Sequence, residues 1–149
     1  MAWVFYDSFK KQLFTLDNSV DFDDNTTTTV KVALVTSTYV PDTALHQFFS
    51  DVSANEVSGT NYTAGGNEAA TKTVTVASGT VTVDAADPAT WAQSATGFSN
   101  ARYAILYKDT GTTTTSPLIA YHDFGSDVGN TTGDLTVSFD ATNGVFTLS

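Results

Sequence analysis

Apolar and polar residues alternate with a period of two along much of this chain, and the departures from that rhythm mark where something other than a half-buried strand is expected. The clearest alternation runs Thr71-Lys72-Thr73-Val74-Thr75-Val76, turns through Ala77-Ser78-Gly79 and returns as Thr80-Val81-Thr82-Val83-Asp84. This predicts a hairpin in which Val74, Val76, Val81 and Val83 share a buried face. Two segments, Val30-Lys31-Val32-Ala33-Leu34-Val35-Thr36 and residues 101–108, are instead apolar at nearly every position, as in strands covered on both faces, and the second is the predicted sheet centre. Residues 117–124 form another strand, and residues 88–91 a short strand or turn carrying Trp91. Residues 135–140 and 145–148 flank Asn143-Gly144 as a second predicted hairpin. Helical spacing occurs twice: Phe9, Leu13 and Leu16 recur at i, i+4 and i+7 within residues 6–16, with Asp7 or Ser8 as N-cap, and residues 42–50 turn Leu45, Phe48 and Phe49 inward behind an Asp42 or Thr43 cap. Seven or eight strands with one or two short helices predict an all-β antiparallel sandwich, a jelly roll among its forms.

The 149 residues suit one domain. It divides into an apolar N-terminal lead and short helix over residues 1–16 and a single β-sandwich over residues 17–149. Charged residues make up only 15%, below the roughly 25% usual for soluble domains, so Thr, Ser and Asn must supply most of the polar surface. Such a surface creates little repulsion between closely packed copies. What charge there is sums to -10, which argues against a nucleic-acid partner, since phosphate binding rests on Lys and Arg releasing counterions. Cysteine is absent, excluding disulfides and thiolate metal sites. The start Met1-Ala2-Trp3-Val4-Phe5-Tyr6-Asp7 lacks the basic region and long apolar run of a signal peptide, and no segment approaches the ~20 apolar residues of a membrane helix. Synthesis in the cytoplasm of a cell, with no membrane partner, is the expectation.

Candidate chemistry is sparse. Asp17, Asp21, Asp23 and Asp24 could offer oxygen ligands to Ca²⁺, but the glycine and distal glutamate of an EF-hand loop are missing, so a solvated acidic loop is expected and no metal or cofactor is assigned. His122 and Asp123 are strand neighbours and should point to opposite faces, and His46 has no evident nucleophile partner. No Gly-x-Ser-x-Gly elbow or phosphate-cradling glycine loop occurs. A pair of carboxylates at glycosidase spacing would arise by chance among fourteen Asp and two Glu. Asn25, Asn61 and Asn130 open Asn-x-Thr triplets, expected to be incidental without a secretory signal. No catalytic residue is named, and the expectation is that the chain is not an enzyme.

The segments "KVALVTSTYVP" from Lys31, "NEVSGTNYTAGG" from Asn55 and "ARYAILYKDTG" from Ala101, followed by Ser116-Pro117-Leu118-Ile119, resemble a family of small virion structural proteins of tailed bacteriophages. Members are usually read as head decoration (cement) or other particle-surface components. The resemblance implies a decoration protein that sits on the particle surface, binds the major capsid protein or other virion proteins, and forms a homo-oligomer, with a trimer as one form. It would act by adding interface to the capsid shell. The lead Trp3, Val4, Phe5 and Tyr6 and the loop residues Asn55, Glu56, Asn61 and Tyr62 are the expected contacts, because aromatic anchors dominate interfaces and loops carry recognition. The lead could equally close the domain's own core. An alternative is a tail-fibre or head-fibre module binding host surface glycan, which would need Trp91, Tyr62 or Tyr121 exposed for stacking on sugars.

Overall fold

Val30, Val32 and Leu34 face one way along β2 (Thr29–Val35), Ala33 and Val35 face the other, and all five are fully buried. The computed structural model, which describes residues 1–15 and 20–149, thus gives this strand a core on each side. The predicted helical Leu16 and the acidic Asp17 lie outside the described residues. β2 pairs along its whole length with β6 (Ala101–Asp109), which in turn pairs with β7 (Leu118–Val128). The short strands β1 (Val4–Phe5) and β3 (Asn67–Glu68) complete an antiparallel sheet of order β1-β7-β6-β2-β3, with β6 in the centre as its apolar run predicts. A second antiparallel sheet has the order β4 (Thr73–Ala77), β5 (Thr80–Asp84), β8 (Phe146–Leu148).

The larger core lies between the sheets, where Val83, Val145 and Phe146 meet Val32, Leu34, Leu106 and Ile119 together with Trp91, Phe98 and Val137. The opposite face of the five-stranded sheet carries a smaller core, in which Ala33, Val35, Ile105, Tyr107 and Leu118 pack under Tyr6, Tyr39, Phe49 and Val52. Each fully buried Val, Leu or Ile contributes about 1.5–3 kcal/mol relative to exposure. The chain is therefore an all-β sandwich with one short α-helix, α1 (Asp7–Thr15), whose Phe9 enters the larger core.

Three expectations are corrected. Residues 42–50 do not form a helix. The Asp42 carboxylate accepts the N–H groups of Ala44 and Leu45, closing one turn, but the Asp51 carboxylate then takes the N–H groups of Gln47 and Phe48, and Phe48 bridges Pro117. These bonds pull the chain straight and leave Leu45 in solvent, with a single 3-10 turn at Phe49–Asp51. The terminal hairpin is reduced to a tight turn between Asp140 and Gly144, because β8 takes β5 as its partner while Leu135 bridges Trp91. Finally, the β4–β5 hairpin forms as predicted, but its valines are unequally covered. Val83 is buried, whereas Val76 is 71% exposed, because only β5 and β8 overlie the core and β4 projects beyond it.

Candidate functional site

The N-terminal lead is an edge strand. Val4 pairs with Tyr121 and Phe5 with Ala120, and the Tyr6 N–H donates to Ile119 O at 3.1 Å. Trp3 packs against Phe139 and His122, and Phe5 against Phe9 and Phe146. Tyr6, expected as a contact, is fully buried. Its hydroxyl bonds that of Tyr39 at 2.7 Å, and burial, reinforced by Tyr39, pushes its phenol far above the ordinary range. Of the four lead residues, Val4 is the exposed one.

The loop residues are likewise turned to structural work. Glu56 bridges Val35, and its Oε1 accepts the Tyr62 hydroxyl at 2.6 Å and the Gly65 N–H at 2.8 Å. Burial first, and the Glu56 charge second, raise the Tyr62 phenol. Asn55 Oδ1 accepts the Thr38 hydroxyl, and Asn61, at φ 67°, donates from Nδ2 to Ala92 O at 3.0 Å. Gly66 is required where it stands: its φ is +74°, and a Cβ would lie 1.9 Å from Val32 O. The lead and this loop are not brought together, since β7 and β6 separate β1 from the β2 strand on which the loop rests.

Two clefts carry polar side chains. One, of about 270 Å³, is lined by Lys31, Phe49, Glu56, Tyr107 and Asp109 among others. Its groups engage one another: Lys31 Nζ lies 2.7 Å from Asp109, Tyr107 donates to Gly65 O at 2.8 Å, and Phe49 stacks on Tyr107 at 4.0 Å. Burial raises the Asp109 carboxyl, but its bonds to Lys31 and the Gly111 N–H outweigh this and hold it below the usual range. The other cleft, about 350 Å³, lies between α1 and residues 44–48, and the enclosed Ser8 Oγ and Gln12 Oε1 on its wall have no partner among the described residues.

Trp91 is 1% exposed, Tyr62 lies partly buried against it, and Tyr121 packs against Tyr6 and Tyr103, so the three present no joint platform for a sugar ring. His122 Nδ1 meets Ala2 O at 2.8 Å while Asp123 pairs with Arg102, so the two neighbours have separate partners. His46 Nδ1 bonds the Tyr39 hydroxyl at 3.0 Å. In the acidic loop, Asp21 accepts the Asp23 N–H, and Asp24 accepts both the backbone N–H and the hydroxyl of Thr26 and of Thr27. Among the described residues no three His, Asp or Glu side chains gather as a metal site.

A few large apolar side chains remain exposed. Phe14 on α1 is 86% exposed, and beside it Leu13 and Leu148 line a groove of about 180 Å³ with Phe5, Phe9, Lys10 and Phe146. Leu13, which helical spacing sets on the same side as the buried Phe9, is 38% exposed. Comparison of the chain with protein-family models, with curated proteins and with solved structures gave no match.

Proposed function

We propose that this chain is a virion structural protein, a capsid decoration protein that binds the assembled shell and stabilises it by added interface. The observation that carries the reading is the apolar groove lined by Leu13 and Leu148, with Phe14 exposed on the same helix. Contiguous apolar surface of this kind marks interaction sites, and an exposed aromatic ring is the usual anchor of one. The resemblance of residues 31–36, 55–66 and 101–111 to phage virion proteins supplies the partner, the major capsid protein. Those residues form the central strands and the Glu56-clamped loop, so what is shared is the scaffold. A contact of about 1,200–2,000 Å² holds a partner stably, and binding only the assembled lattice favours that state by linkage. A sparsely charged, Thr-rich surface suits dense packing on a shell.

The test is co-sedimentation of the purified protein with particles. Wild-type protein should bind in numbers comparable to the capsid subunits, and Phe14→Asp, which removes an exposed ring and leaves the melting temperature unchanged, should weaken binding at least about tenfold, the equivalent of 1.4 kcal/mol. Absence of the chain from finished particles, or undiminished binding of the variant, would overturn the proposal.

A further inference from the structure

The outer edge of β4 is open, and its geometry specifies what fits it. Ser78 (φ 51°) and Gly79 (φ 84°) both take left-handed conformations, so the hairpin closes through a two-residue turn and the flanking pair Ala77 and Thr80 exchange backbone hydrogen bonds. Alternation then directs Thr73, Thr75 and Ala77 toward β5, and turns the N–H and C=O groups of Lys72, Val74 and Val76 outward. At Lys72 these groups are occupied: Asn25 donates from Nδ2 to Lys72 O at 2.8 Å and accepts the Lys72 N–H at 2.7 Å on Oδ1. The amide thereby takes the place of a neighbouring strand residue. Val74 and Val76 have no such cover, since among the described residues β4 pairs with β5 alone, and all five residues of β4 are exposed.

Edge strands are normally blunted by Lys, Pro, bulges or extreme shortness. Residues 73–83 contain no charged residue and no proline, and the β4–β5 register is unbroken. In a chain of net charge -10, this uncharged hairpin lets two copies approach without setting like charges side by side along the strand.

We propose that β4 pairs antiparallel with β4 of a second copy, about a two-fold axis through Thr75. Outward-facing residues must oppose one another. Centring the axis on Val74 would set Val76 against the Lys72–Asn25 clamp, and centring it on Val76 would run Val74 into the Ser78–Gly79 turn. The register centred on Thr75 places Val74 opposite Val76 of the partner subunit and makes four backbone hydrogen bonds. It also joins the apolar rows. Val76, Val81 and Leu148 lie in register across one sheet, as do Val74, Val83 and Phe146, and the pairing extends each row into the other across a six-stranded sheet. This inference rests on strand geometry and is independent of the capsid reading.

Light scattering on the full chain should give a mass approaching twice 15.8 kDa as concentration rises. Val76→Pro removes an outward N–H and no bond to β5, and Val76→Lys places a charge on the edge. Both should remain folded by circular dichroism and return the mass to that of a monomer. The register is tested by single cysteines in a chain that has none. Thr75→Cys should give a disulfide-linked dimer under mild oxidation, because Thr75 faces its counterpart at a Cα separation of about 4.5 Å. Thr73→Cys should not, because it faces Ala77 of the partner subunit. A monomer at every concentration, a dimer that survives Val76→Lys, or equal cross-linking by the two cysteine variants would overturn the proposal. A monomer that still binds particles would sink this pairing and leave the capsid reading standing.

Discussion

Asn130 is fully buried, and its side-chain amide joins three segments: it accepts the Phe98 N–H at 2.9 Å and donates to Thr60 O at 3.1 Å and Ala92 O at 2.8 Å. Gly97 makes room for it, since a Cβ there would lie 1.9 Å from Asn130 Oδ1. Asn130→Ala leaves one donor and two acceptors without this partner, so a loss on the order of 2–4 kcal/mol is expected in urea denaturation. A loss below about 1 kcal/mol would mean that solvent replaces the amide. Asn25 and Glu56 act in the same way, each satisfying backbone groups of a distant or looping segment. None of this was legible in the sequence. Asn25, Asn61 and Asn130 all read as incidental Asn-x-Thr triplets, because a side-chain clamp whose partners lie dozens of residues away leaves no local periodicity. The glycines opposite such clamps are the nearest thing to a signal.

At the scale of elements, legibility followed from how many neighbours shape a segment. β2 and β6 lie at the middle of the sheet between two cores, and their continuous apolar runs announced them; the β4–β5 hairpin announced itself by alternation and turn chemistry. Short elements failed where a distant partner competed, as Pro117 does for Phe48 and β5 for β8. The lead was ambiguous for the same reason, since its role depends on the β7 edge it covers. Truncation of residues 1–6 removes β1, takes Trp3 and Phe5 from the larger core and removes the buried Tyr6 from the smaller one. Burial of each large side chain is worth about 1.5–3 kcal/mol, so the truncated chain should lose near-ultraviolet circular dichroism and become protease-sensitive. Tyr6→Phe, which deletes only the hydroxyl bonded to Tyr39, should cost about 1 kcal/mol and keep the fold. A truncated chain that melts like the full one would show that β1 contributes nothing to stability.

The whole molecule carries titratable groups that bound its stability at both ends of the pH scale. Tyr6, Tyr39, Tyr62 and Tyr107 all have phenols raised by burial, Tyr39 pushed up to about 12 and the others higher still. The unfolded chain releases these protons near pH 10, whereas the folded chain retains them. Folding therefore gains from this source below pH 10 and loses it as the pH rises, by about 1.4 kcal/mol per pH unit for each proton retained. On the acid side, hydrogen bonds from Thr27 and Thr26 lower the Asp24 carboxyl, Arg102 and the Gly125 N–H lower Asp123, and the Asn143 and Thr142 N–H groups lower Asp140. These, with Asp109, contribute above the ordinary carboxylate range near pH 4 and lose that contribution as the pH falls below it. Because most of them lie at the surface, where solvent screens them, the acid limb should be shallow. Thermal melts from pH 3 to 12 should accordingly show a plateau with a gentle fall below about pH 4 and a steep fall above about pH 10. Tyrosinate absorbance from the four buried phenols should appear together with unfolding. If all the tyrosines instead ionise reversibly near pH 10 in a chain that stays folded, the two aromatic cores are open to water and the burial that organises this sandwich is wrong.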